Sequence, residues 1–230
     1  MKTIISAVLF QALLGPVWAF TLLTDHDGFI VQCDEDRVTN NDKLDRRRLA
    51  VVDLNRSVHG WLPGKRIAFI NFGLDSLPNV IDSEHIVHAS LRLFVSEVVM
   101  SGRVEIYQVK NSWDERSLKW HHQPALGNKL HDVFIGESDE RRWLDLDITQ
   151  LVKTWILLPE VQHGIAIKAP GSAWILFGSK ESNYSDNYME LPNSIPIIIG
   201  RATTNNADIS EGPSGHAATI ELMLDFNEFD

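Results

Sequence analysis

"ASLRLFVS" (Ala89–Ser96) is the stretch that decides the fold. Leu91, Leu93 and Val95 lie on one side of an extended chain, Ser90, Arg92 and Ser96 on the other, and only Phe94 breaks the alternation. A period of two marks a strand with one face on a core and the other in water. Upstream, "RIAFINF" (Arg66–Phe72) is apolar on both faces, as a strand covered from both sides is. "GFIVQC", "RVEIYQV", "RWLDLDI", "HGIAIKA", "AWILFGS", "SIPIIIG" and "ATIELMLDF" are strand-like as well. Turn signals such as "LPG", "SLPN", "MSG" and "APG" separate them, and many short strands with such punctuation predict an all-β sandwich.

One helix is expected. In "DITQLVKTWILLP" the apolar residues Ile148, Leu151, Val152 and Trp155 follow the i, i+3, i+4, i+7 spacing of a helix over 147–157. Asp147 is placed to cap its first amides and Pro159 to stop it. "TTNNADISEGPSG" (Thr203–Gly215) is polar and aperiodic. The division expected is therefore a leader over 1–19, a β-domain over 20–200, and a polar linker with a terminal strand over 201–230.

The leader is read from Lys2, the apolar run Ile4–Leu14, and small residues Val17 and Ala19 at the positions a signal peptidase inspects. The run is shorter than the roughly 20 residues a membrane span needs. Export is the expectation, with a mature chain starting near Phe20 and no insertion into a membrane. Lys and Arg number 21 against 31 Asp and Glu, a net charge of −10. That balance argues against nucleic acid, whose binding relies on basic side chains neutralising phosphates. The single cysteine, Cys33, can form no internal disulfide; it is either a small buried apolar residue or a free thiol.

Strong catalytic signatures are missing: the sequence has no G-x-S-x-G, no Walker loop, no G-x-G-x-x-G and no H-E-x-x-H. His121 and His122 are adjacent, so in an extended chain they point to opposite sides and make a poor metal pair. Asp145 and Asp147 share a strand face, as a glycosidase pair could, but a solvated face running into a helix cap explains them as well. Calcium is the metal to consider. Asp25 and Asp27 in "DHDG", with Asp34 and Asp36 in "DED", gather hard oxygen donors, although exposed acidic loops would look the same.

"NSWDERSLKWHHQPALG" (Asn111–Gly127) belongs to a longer pattern. "RIAFINFGLDSLPNVIDSEHIVHASLRLFVS", "VEIYQVKNSWDERSLKWHHQPALG", "RWLDLDITQLVKTW", "HGIAIKA" and "FGSKES…PIIIG" follow one another over roughly Asp27 to Gly200. This order resembles the DNRLRE-type domain, a carbohydrate-binding module family of extracellular proteins, and more faintly the propeptides of the transforming growth factor beta family. The resemblance implies a jelly-roll-like β-sandwich that binds polysaccharide or cell-surface glycan without turnover, alginate being a ligand of some relatives. The chain departs from the pattern at His121-His122, between Asp34 and Leu44, in the insertion-like "NRSVHGWLPGK" (Asn55–Lys65), and beyond Gly200.

The pattern tryptophans Trp113, Trp120 and Trp155 are read as packing residues. Sugar contacts are then expected from aromatics and bases outside the pattern: Trp61 beside Lys65 and Arg66, then Trp174, Tyr184, Tyr188 and the Arg46–Arg48 run. Two rival readings stand beside this one: an extracellular structural or adhesive protein with no sugar ligand, and a polysaccharide lyase or hydrolase.

Overall fold

The computed structural model describes residues 17–32, 48–54, 64–181 and 216–225. The strands are β1 (Val17–Val31), β2 (Arg48–Leu54), β3 (Gly64–Phe72), β4 (Ile86–Met100), β5 (Gly102–Val109), β6 (Leu126–Ile135), β7 (Arg142–Asp147), β8 (Ile165–Lys168), β9 (Ala173–Gly178) and β10 (Thr219–Asp225). One α-helix, α1 (Thr149–Leu157), lies between β7 and β8. The protein is mostly β with a single helix among the described residues, as its periodicity predicts.

The arrangement of the strands departs from an open sandwich. β1 pairs with β10, β10 with β4, β4 with β9, β9 with β2, β2 with β3, and β3 returns to β1, all antiparallel. Six strands thus close into a barrel. β8, β5 and β6 extend it from β3, and β7 extends it from β4. Closure depends on two 15-residue strands that change partners along their length. β1 leaves β10 at Leu23 and joins β3 at Thr24, with a register shift between Thr24 and His26. β4 leaves β10 at Arg92 and meets β9 from Val95 onward, again through irregular register. Bulges bend a strand and sharpen its twist, which lets one strand serve two neighbours on the same edge.

The interior is one large apolar cluster to which Leu91, Leu93 and Val95 of β4, Ile106 of β5, Ile135 of β6 and Trp155 of α1 all contribute. The helix starts two residues later than its pattern suggests. Asp147 closes β7, and its carboxylate accepts the Thr149 N–H at 2.9 Å and the Thr149 hydroxyl at 2.6 Å. Leu151, Val152 and Trp155 face the core from α1. Gly164 leads into β8 at φ +79°, and a Cβ there would lie 2.0 Å from the Ile70 carbonyl oxygen. Only glycine lets β8 approach β3 in this way.

Two strands escape the sequence pattern. β2 is buried on both faces, and β6 ends the strand order and carries charge on its outward side. The strand expected at 194–200 and the fate of Cys33 lie outside the described residues. β1 begins at Val17, so Val17, Trp18 and Ala19, assigned to the leader, pair with Asp225, Leu224 and Met223. β10, expected as a tail after a linker, lies inside the barrel between β1 and β4. No helix among the described residues is long and apolar enough to cross a membrane.

Candidate functional site

The segment after β5 folds back over the outer side of β3, β5 and β8. Leu118 is buried against Ile30, Phe69, Val109 and Ala166, with Trp113 and Trp120 packed on the same cluster. The Trp113 indole N–H donates to the His163 carbonyl at 2.9 Å. The turn is set by Asp114, whose carboxylate accepts the Arg116 N–H at 2.8 Å. These tryptophans are packing residues, as their pattern positions suggest, while His121 and His122 are exposed.

The same segment delivers Glu115 to a polar node. Glu115 accepts the backbone N–H of Asp27 at 2.9 Å and also binds the Lys180 ammonium. Asp27 accepts the Lys180 N–H at 2.7 Å and lies 3.2 Å from the Ser179 hydroxyl. That hydroxyl is also 2.5 Å from Glu181. A serine has one hydroxyl proton, so if both contacts are hydrogen bonds one carboxyl must bring its own. Asp27 is the group whose surroundings favour this. Burial, reinforced by the nearby Glu181 charge, outweighs the Lys180 N–H and pushes its carboxyl up to about 7.

Carboxylate oxygens of Asp27, Glu115 and Glu181 lie within 4.8 Å of one another, a donor set that suits a hard cation such as Ca²⁺. Lys180 already brings a positive charge there, its ammonium 2.9 Å from the Asp25 carbonyl. Of Asp25 and Asp27, expected together from "DHDG", only Asp27 brings its carboxylate to this node. Asp25 and Asp27 would share a face in a regular strand, but the bulge between Thr24 and His26 separates them. The Asp25 carboxylate turns outward to His26 at 2.7 Å, leaving only its backbone carbonyl at the node. Asp34 and Asp36 lie outside the described residues.

Two outward faces carry the remaining chemistry. On β5, β6 and β8 a strip of cations alternates with carboxylates. Lys129 bridges Glu105 at 3.1 Å and Asp132 at 3.2 Å, and Arg103 holds Asp132 at 2.7 Å. The Lys168 ammonium lies 4.6 Å above the Tyr107 ring, and the Tyr107 hydroxyl donates to Glu105 at 2.9 Å. Burial alone would raise the Glu105 carboxyl, but hydrogen bonds from Lys129 and Tyr107, helped by Lys168, hold it below its ordinary value. Three cations meet two carboxylates here, and the exposed Phe134 ring lies at the edge beside Arg103.

On β10, β4 and β7 the outward residues are Glu221, Arg92, Phe94, Trp143 and Asp145. Arg92 donates to Asp145 at 2.8 Å and to Glu221 at 2.5 Å, one from each flanking strand. Its guanidinium lies 4.9 Å from the Trp143 ring centre. Phe94, the residue that broke the alternation, stacks on His216 at 3.9 Å and meets Trp143 edge-on at 5.3 Å. Sequence reasoning missed this group. The signal was present in the outward-facing Phe94 and in Trp143 alternating with Leu144.

The binding residues expected from sequence are dispersed. Lys65 and Arg66 are neighbours in β3, so they project to opposite faces and cannot clamp one carboxylate together. Lys65 is exposed and lies 3.3 Å from the buried Asp53 carboxylate. Trp174, expected on a sugar, is 5 % exposed and packs with Ala50, Val52 and Leu54. Apolar residues of β2 cover its ring, so it has no open face to offer. Trp61, Tyr184 and Tyr188 lie outside the described residues, as do Arg46 and Arg47, while Arg48 is ion-paired with Glu97.

The family model of carbohydrate-binding module family 96 matches residues 47–192. The match covers more than half of the chain, which therefore belongs to this family. The DNRLRE-type domains correspond to it. No curated protein matches the chain. The matched residues include β2 through β9. β1 and β10, which complete the barrel, lie outside them, and so do Asp27, His216 and Glu221.

Proposed function

We propose that the chain is an exported, non-catalytic carbohydrate-binding protein whose ligand is an extracellular polysaccharide or cell-surface glycan. The family assignment carries the class of ligand. For the finer choice, an acidic polysaccharide such as alginate, the supporting observation is the strip of Arg103, Lys129 and Lys168 around Tyr107. In a chain of net charge −10, this is a local excess of cations beside aromatic surface. Uronic carboxylates would pair with the ammonium and guanidinium groups, and sugar C–H faces would rest on Tyr107 and Phe134. Such attraction weakens as salt rises. Export is proposed on the apolar run and small residues that precede Phe20.

The test is an array of neutral and acidic glycans probed with the secreted chain, followed by Lys129→Ala/Lys168→Ala. Retention on acidic glycans that falls in the double variant and in high salt supports the reading. Retention on no glycan overturns it, and release of reducing ends or unsaturated products overturns its non-catalytic part.

A further inference from the structure

We propose that the outward face of β10, β4 and β7 is a separate binding site for neutral, hydroxyl-rich saccharides, built on Trp143, Arg92, Asp145 and Glu221. The inference rests on the carbohydrate-binding reading above and adds a second site with a different ligand class. Three features carry it. The first is a fixed donor fork. Arg92 is held from both sides by carboxylates of neighbouring strands, so its planar guanidinium is oriented before any ligand arrives. The second is a pair of acceptors. Asp145 and Glu221 are both substantially exposed, and each uses one oxygen on Arg92, which leaves the other without a hydrogen bond among the described residues. Adjacent sugar hydroxyls are donors and acceptors at once, which suits alternating carboxylate, guanidinium and carboxylate. The third is the half-buried aromatic cluster of Trp143, Phe94 and His216 at one end, which gives the apolar C–H face of a sugar ring a place to rest.

The charge selects against acidic sugars. Among the described residues Arg92 is the one cation paired with Asp145 and Glu221, and Asp147, next along β7, adds a further carboxylate with His88 at 3.9 Å. The opposite sign prevails on the Arg103–Lys129–Lys168 strip. In the six-strand ring β3, from which β8, β5 and β6 extend, lies three strands from β4 in either direction, so the two faces are on opposite sides of the barrel. His216 and Glu221 lie beyond the family match, so the site is assembled from one family strand pair and a strand from outside it.

The experiment is titration calorimetry of the full chain with cellohexaose, laminarihexaose and mannohexaose as neutral probes and an alginate hexamer as the acidic one. We expect at least one neutral probe to bind, Trp143→Ala to weaken it about tenfold or more, and Glu221→Gln to weaken it about threefold, with alginate binding unchanged in both. Circular dichroism checks each variant. If Trp143→Ala does not fold, Trp143→Phe and Arg92→Lys decide, the first retaining neutral binding and the second losing it. Binding of a neutral probe that is undiminished in folded Trp143→Ala and Glu221→Gln overturns the site. Alginate binding weakened by these two variants overturns the ligand class. Alginate binding with no neutral binding overturns this inference and leaves the parent reading standing, whereas no binding by any probe overturns this inference together with the choice of alginate, the glycan array deciding the parent reading.

Discussion

Glu115 accepts the backbone N–H of Asp27 at 2.9 Å across 88 residues of sequence. One carboxylate thus ties the loop after β5 to the middle of β1, a strand outside the family match. Glu115→Ala leaves that N–H without its acceptor and the Lys180 ammonium without its nearest partner. An unmet buried polar group costs about 1–3 kcal/mol. Glu115→Gln keeps an oxygen for the N–H and should lose less. Urea unfolding midpoints test the order, and equal losses in the two variants would show that the Asp27 contact contributes nothing.

Asp27 gives the fold a pH dependence. Its carboxyl is pushed up to about 7 in the folded chain from an ordinary value of 3.8. Between those values the folded state holds a proton that the unfolded state has released. The contribution is complete below the unfolded value and is lost as pH rises through the folded one. Stability should therefore fall by about 1–3 kcal/mol from pH 5 to pH 8, measured in EDTA to keep cations from the node. Asp27→Asn, which cannot ionise, should flatten that slope. An unchanged slope in the variant would place the titrating group elsewhere.

Trp155 is fully buried where α1 meets the core, and its indole nitrogen has no partner among the described residues. Its role is volume. Trp155→Ala should cost about 3–5 kcal/mol, and Trp155→Phe clearly less, because no hydrogen bond is broken and part of the ring remains. Trp143→Ala, on a half-exposed face, should cost less than Trp155→Ala. Comparable denaturation midpoints for the two alanine variants would mean that the core is misplaced.

Most strands were legible in the sequence: β7 and β10 alternate, β4 does so apart from Phe94, β3 is apolar on both faces, and α1 has a helical stripe. β2 was missed although "RLAVVDL" is apolar on both faces as "RIAFINF" is, because it runs straight on from the basic Arg46–Arg48 run, which reads as surface. β6 was hidden because "NKLHDV" spends its outward positions on charges that make sense only beside Arg103 and Glu105. Closure of the barrel was illegible for a different reason: it depends on bulges at Thr24 and in β4, and bulges leave no compositional mark. The sites followed the same division. The packing role of Trp113 and Trp120 could be read from a pattern. The node and the Arg92 face join residues from distant strands, and no local spacing announces such meetings.

The strand that begins at Val17 bears on where export processing would cut. Removing residues through Ala19 deletes three pairings with β10: Val17 with Asp225, Trp18 with Leu224 and Ala19 with Met223. Trp18 is 52 % exposed and lies outside the core cluster, so its loss opens no cavity there, and the freed groups of β10 can reach water. Phe20 packs on the main core, and Leu22 is fully buried within it. A chain starting at Phe20 should therefore unfold within about 1 kcal/mol of the one starting at Val17. A chain starting at Leu23 loses both the Phe20 contact and the Leu22 side chain, and should be destabilised by at least about 2 kcal/mol. Mass spectrometry of secreted material should find Phe20 or a direct neighbour at the N-terminus. Secreted chains that retain Met1, or a Phe20 start as unstable as the Leu23 start, would refute cleavage at this site.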